Sequence, residues 1–494
     1  MISADIDWSA LAVFVLFFGL VTVMGFVAAR WRRPATLAHL DEWGLGGRQF
    51  GTWITWFLVG GDFYTAYTVI AVPALVYAVG AYGFFALPYT ILVYPVVFTI
   101  MPRLWAVAAK GGHVTAADIV HARYGSRPLE LAVAITGVIA TMPYIALQLI
   151  GMEVVIRGLG LNGEIPLVVA FLILALYTYS SGLRAPALIA FVKDIMIYIV
   201  VLVAVAIIPL KLGGYGAVFA AAEAGFKAKG VGGIMLTPAQ FLPYATLALG
   251  SALAAFMYPH TLTGIFASKS GETIRKNAVL LPAYTLLLGL IALLGYMAYA
   301  AGIKPATNND VVPLLFKTLF PGWFAGFAFA AIGIGALVPA AVMSIGSANL
   351  FTRNFWKAYV NPAITPAGEA KVAKLTSLVV KVGALLVILF LPTQFALDLQ
   401  LLGGLWILQT FPAVVFGLFT PWFRGPALLA GWAVGLFGGT AVTWTDSLKP
   451  LHTIVWGDTH VTLYVGVLAL AANVATVLVC NVLLPAARRD RATA

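Results

Sequence analysis

An all-α integral membrane protein with about thirteen transmembrane helices is what this sequence predicts, on three observations. Hydrophobic residues fill 62% of the 494 positions and charged ones only 10%, at a mean hydropathy of +0.98. A water-soluble core cannot absorb that much apolar surface. Apolar windows long enough to cross a bilayer recur along the whole chain, separated by turn and charge signals. The cations alternate between connections: twenty Lys and Arg fall on one side, among them Arg32, Arg33, Arg353, Arg488, Arg489 and Arg491, against seven on the other. By the positive-inside rule the N-terminus is then outside and the C-terminus cytoplasmic. The net charge of +11 is topological and gives no reason to expect a nucleic-acid partner.

The spans are expected at about 8–29, 50–80, 82–102, 129–157, 165–182, 186–209, 241–263, 277–301, 322–352, 374–392, 399–420, 426–445 and 460–484. Asp5 and Asp7 precede the first with no positive charge leading it, so no cleavable signal is expected. The second carries Gly60-Gly61-Asp62 in mid-run. A helix in hydrocarbon must satisfy its own backbone, so paired glycines beside a carboxylate mark a break that lines a ligand cavity. A short helix after a Thr115 cap is expected in the 103–128 connection. The fourth span carries Pro143, Tyr144 and Gln148, the sixth Lys193-Asp194, and the seventh Gly250-Ser251 and then Tyr258-Pro259-His260. The 210–240 and 302–321 connections are punctuated by Gly and Pro and suit lids. Lys381 is the other lysine left inside a span, and Cys480 reads as apolar filler that excludes an internal disulfide.

Each interrupted helix opens a block of five spans, at 50–209 and 241–420, starting from opposite sides of the membrane. Paired interruptions in two inverted halves point to a transporter site at the midplane. Residues 1–49 and 421–494 are then peripheral, and 210–240 is an external loop. No nucleotide loop or HExxH helix is present, and the intramembrane acids are scattered singly, which disfavours an enzyme. A channel would show a repeated pore segment or rings of like residues.

Four stretches together resemble the sodium:solute symporter family: Gly60-Gly61-Asp62-Phe63, Ser181-Gly182-Leu183-Arg184-Ala185, Pro259-His260, and Ala340-Ala341-Val342-Met343-Ser344. The resemblance implies the leucine-transporter-like core of five-plus-five inverted helices with broken first and sixth core helices. Residues 179–194 and 258–264 are most similar to the bacterial monocarboxylate permeases. The same resemblance implies a sodium site at Gly60, Phe63, Ala341, Ser344 and Ile345. Ile345 stands where the family has Ser or Thr, which removes one oxygen ligand from a hard cation. Ala190 falls where members often carry Asp, with Lys193-Asp194 nearly one turn on. Lys193 either supplies a tethered cation to that cage or snorkels to the interface and pairs with Asp194.

Substrate contacts are expected from Gly61, Asp62, Tyr64, Thr65, Tyr144, Gln148, Tyr258 and Thr261, with free backbone amides at both breaks meeting a carboxylate. Tyr144 and Gln148 serve equally well as interhelical hydrogen bonds. Trp406 and Gln409 suit an outer gate or plain packing, and His260 a structural hydrogen bond. The expected function is import of small monocarboxylates such as lactate and pyruvate by cation-coupled symport in the inner membrane. Coupling is expected to be to protons, through Lys193 first and Asp62 second. The alternative is a sodium-coupled symporter of another small solute such as an amino acid. The implied partners are the small carboxylate and membrane lipid. No cofactor is expected beyond a possible sodium ion, and the sequence sets no oligomeric state.

Overall fold

The structure is a computed structural model that describes residues 6–31, 38–161, 165–390 and 396–484. Asp5, Arg32, Arg33, Arg488, Arg489 and Arg491 lie outside the described residues. The chain is helical nearly throughout. In order come α1 (Trp8–Val27), α2 (Leu40–Leu45), α3 (Thr52–Thr55), α4 (Val72–Val79), α5 (Ala86–Thr99), α6 (Met101–Gly111), α7 (Ala116–Tyr124) and α8 (Arg127–Gly158). Next are α9 (Ile165–Ser181), α10 (Arg184–Lys211), α11 (Tyr215–Lys229), α12 (Pro238–Ala255), α13 (Pro259–Phe266), α14 (Gly271–Leu280), α15 (Pro282–Ala300) and α16 (Val311–Leu319). The chain closes with α17 (Gly322–Leu350), α18 (Pro366–Phe390), α19 (Ala396–Leu408), α20 (Phe411–Val415), α21 (Gly425–Thr445), the strands β1 (Leu451–Trp456) and β2 (Thr459–Tyr464), and α22 (Val465–Leu483). Among the described residues, eight helical runs are long and apolar enough to cross a membrane, or ten if two bent pairs each count as one span.

The core is built around α17, whose most apolar window is buried throughout. It packs against α8, α1, α10, α18 and α13. Small residues permit this approach, because without a hydrophobic drive between helices, close backbone contact is what holds them. At Gly346 a Cβ would stand 2.8 Å from the Pro259 backbone, so α13 rests directly on α17.

Three local expectations change, and the helix expected after Thr115 is present with a second one before it. The helix α12 runs unbroken through Gly250 and Ser251, where Gly250 makes room for the Tyr464 ring; the break lies at Phe256–Tyr258, with a bend of 49°. The expected 460–484 span begins only at Val465, because 451–464 pair as an antiparallel hairpin rich in Thr, Ile and Val. The expected 210–240 loop contains α11. The 103–128 connection holds two helices, α6 and α7, and Thr115 caps α7 by a reciprocal capping box with Asp118.

Candidate functional site at the two helix breaks

The 50–80 helix loses its regular bonding in mid-run. A π-helical turn at Trp56–Gly60 leads into a 3-10 turn at Gly61–Phe63, and Tyr64 is extended at φ −97°, ψ 81°. Regular helix resumes through a second π turn at Tyr67–Ala71. The amide hydrogens freed by this break all find partners within the protein. Tyr64 N–H donates to the Gly61 carbonyl (3.0 Å), Thr65 N–H to Thr68 Oγ1 (3.1 Å), Ala66 N–H to Gln148 Oε1 (3.0 Å) and Tyr67 N–H to Thr65 Oγ1 (3.0 Å). The expectation that first-break amides are free for a carboxylate is therefore corrected. Short polar side chains beside the break satisfy them locally, as buried donors require.

The freed carbonyls are met by a cation. Lys193, on α10, donates from Nζ to the Gly61 carbonyl at 2.6 Å and to the Tyr64 carbonyl at 3.1 Å. Its neighbour Asp194 lies 2.8 Å from the same ammonium, and both side chains are fully buried. The other Asp194 oxygen accepts from the Tyr284 hydroxyl at 2.6 Å. Tyr64 donates to the Tyr284 carbonyl and stacks on that ring at 4.7 Å. Snorkelling is excluded by burial: Lys193 holds the break and pairs with Asp194 at once.

This arrangement corrects the reason for the glycines. A Cβ on Gly61 would run into the Asp194 carboxylate, and one on Gly60 into the Tyr284 ring. Both glycines admit the Lys193–Asp194–Tyr284 cluster. The Tyr64 hydroxyl is spent on Tyr284 and the Gln148 side-chain oxygen on Ala66, while the Gln148 amide nitrogen reaches the Tyr144 carbonyl at 3.4 Å.

A second cluster joins the two breaks. Asp62 Oδ2 accepts from Thr261 Oγ1 at 2.9 Å and lies 3.4 Å from His260 Nε2. The His260 ring packs on Tyr258 (5.1 Å) and Tyr144 (5.4 Å). Asp62 Oδ1 and His260 Nδ1 are buried atoms without a hydrogen-bond partner among the described residues. The helix α13 starts at Pro259 with no side chain capping it. Such a start offers unpaired amides and a partial positive charge to an anion. Of the expected substrate residues, the fold thus gathers Asp62, Thr65, Tyr144, Tyr258 and Thr261, of which Tyr258 presents its ring, its hydroxyl donating to the Gln400 carbonyl at 3.3 Å.

Two of the positions expected to hold sodium are engaged with one another. The Ser344 hydroxyl donates to the Ala341 carbonyl at 2.7 Å and lies 3.1 Å from Ser377 Oγ, while Ile345 is a buried hydrocarbon. At the break, Lys193 holds the carbonyls one residue beyond Gly60 and Phe63. Ile345 therefore supplies no oxygen to a hard cation, and the Lys193 ammonium lies beside the remaining carbonyls. Trp406 and Gln409 bond outward, to Thr440 and Gly466, and tie α19 to α21 and α22. Tyr284, Tyr198, whose ring lies 5.9 Å from that of Tyr284, and Ser377 carry no sequence mark. Lone polar residues in apolar helices acquire meaning only from their neighbours in space.

A model of the sodium:solute symporter family matches residues 43–435. The chain belongs to the sodium:solute symporter family. Members are transporters, not enzymes. A "Monocarboxylate transport permease protein" of Rhizobium johnstonii is 74% identical over 490 residues, covering 99% of this chain and all of that one. The symporter YodF of Bacillus subtilis is 33% identical, covering 93% and 90%. The solved structure of a Na+-coupled sialic acid symporter superposes with a TM-score of 0.80, covering 97% of this chain and 99% of that one. At 15% identity that likeness shows the fold alone.

Proposed function

We propose that this symporter imports small monocarboxylates such as lactate and pyruvate, and that protons rather than sodium ions drive it. The observation that carries the reading is the Lys193 ammonium bound to the Gly61 and Tyr64 carbonyls, with Asp194 as its counter-ion. A second monovalent cation at close range would be repelled strongly in so poorly solvated a place. The 74% identical permease supports the substrate class.

In this reading residues 50–209 and 241–420 form the inverted repeats, with 1–49 and 421–494 peripheral. The protein lies in the inner membrane with its N-terminus outside. The substrate carboxylate meets the uncapped start of α13, beside Thr261, the Tyr144 hydroxyl and the ring of Tyr258. A hydroxyl on the substrate donates to Asp62 Oδ1, the carboxylate oxygen left without a partner. Thr261 and His260 hold the other oxygen and keep Asp62 turned between the breaks.

The second reading, sodium-coupled transport of another small solute such as an amino acid, draws on the retained Ser344 hydroxyl and Ala341 carbonyl. Counterflow in liposomes separates the two. A panel of short-chain acids and amino acids, with potassium replacing sodium, should show exchange for the monocarboxylates. Exchange of amino acids alone, and only with sodium, selects the second reading.

A further inference from the structure

Lys381 is the other lysine buried inside a helix, and nothing above uses it. It lies on α18, 1% exposed, where that helix packs against α17, α8, α9, α2 and the 351–360 turn. Its ammonium donates to Ser377 Oγ at 2.8 Å and reaches the Ser377 carbonyl at 3.4 Å. Ser377 Oγ continues to Ser344 Oγ at 3.1 Å.

No carboxylate among the described residues pairs with Lys381. On the surrounding elements Glu42 is held by Arg184, Asp41 faces Arg48, Glu130 is held by Arg127 and Glu153 by Arg157. On its own helix Glu369 binds Arg353 and Lys357. The phenols are placed elsewhere too: Tyr144 against Tyr258 and His260, Tyr177 against Phe26, Tyr179 under Lys374 and Tyr359 on the Arg127 carbonyl. The helix α17 contributes no charged group.

The two buried lysines differ in kind. Lys193 has a carboxylate and two carbonyls as partners. Lys381 has a single serine. An amine buried without a counter-ion relieves the cost of its charge by releasing its proton, and one beside a carboxylate does not.

We propose that Lys381 carries the coupled proton, passing between ammonium and amine once per cycle, while Lys193 keeps its place at the break. The assignment rests on the proton-coupled reading. The proton is taken onto the amine lone pair from water on the entry side and returned to water on the exit side. When it leaves, Ser377 Oγ turns from acceptor to donor toward Nζ. The hydrogen-bond direction along Ser344–Ser377–Lys381 reverses, and α17 and α18 register the change.

The test uses the full-length protein in sodium-free proteoliposomes. Wild type, Lys381→Met and Lys381→Arg are compared for uptake under an inward proton gradient and for counterflow at equal pH. Wild type should accumulate lactate above the outside concentration. Both variants, one fixed neutral and one fixed charged, should lose accumulation and keep counterflow. Proton-driven accumulation in Lys381→Met overturns the assignment, as does loss of counterflow in both variants, which marks a residue needed for transport itself. Absence of proton-driven accumulation in wild type overturns the underlying reading instead.

Discussion

Lys193 Nζ lies 2.6 Å from the Gly61 carbonyl, and the carboxylate of its neighbour Asp194 fills the place a Cβ on Gly61 would take. One glycine therefore touches both members of a buried ion pair. The break and the pair are a single structural unit, and disturbing either should disturb the other.

Gly61→Ala should abolish uptake while the protein still inserts. Overpacking a buried site costs about 1–3 kcal/mol, and here the clash falls on a carboxylate already bound to Lys193 and Tyr284. Gly51→Ala is the matched control, since its Cβ would meet open space. Initial uptake rates normalised to protein in the membrane decide it, and a wild-type rate for Gly61→Ala contradicts the account.

Removing the ammonium should create what Lys193 replaces. Lys193→Ala leaves the Asp194 carboxylate facing the Gly61 and Tyr64 carbonyls, an oxygen set suited to a hard cation. Breaking a buried pair costs about 3–5 kcal/mol because one charge is left uncompensated. The purified variant should melt lower than wild type in potassium chloride and recover in sodium chloride. Equal melting temperatures in the two salts speak against a cation place at the break.

Tyr144 and Gln148 should separate. Gln148→Ala strands the buried Ala66 amide, which costs about 1–3 kcal/mol, and should lower abundance and maximal rate with KM little changed. Tyr144→Phe should raise KM about two- to tenfold, the worth of one hydrogen bond. A KM effect confined to Gln148→Ala reverses these roles.

Thr261→Val removes the 2.9 Å bond that holds Asp62 across the two breaks. The expected result is a KM raised more for lactate than for acetate, which has no hydroxyl to place on Asp62. Equal effects on both acids remove Asp62 from substrate recognition.

Much of this was legible in the chain. The apolar windows announced a membrane protein, and Gly60-Gly61-Asp62 and Tyr258-Pro259 located the two interruptions. Lys193-Asp194 stood out because charge inside an apolar run is costly. The partners were not legible. Nothing near Tyr284 in sequence signals that its hydroxyl meets Asp194, ninety residues away. Gly250-Ser251 misled because small residues serve close packing as readily as a break, and here Tyr464 fills the space. The hairpin at 451–464 was hidden because β-branched residues are apolar enough to resemble the start of a span.

The central claim is that Lys193 stands in for the coupling sodium ion. Wild-type protein in proteoliposomes, with potassium in place of sodium on both sides and an inward proton gradient, tests it most directly. The account predicts lactate accumulation that follows the proton gradient and is unchanged by added sodium. Uptake that requires sodium, saturates with it and ignores the proton gradient would contradict it.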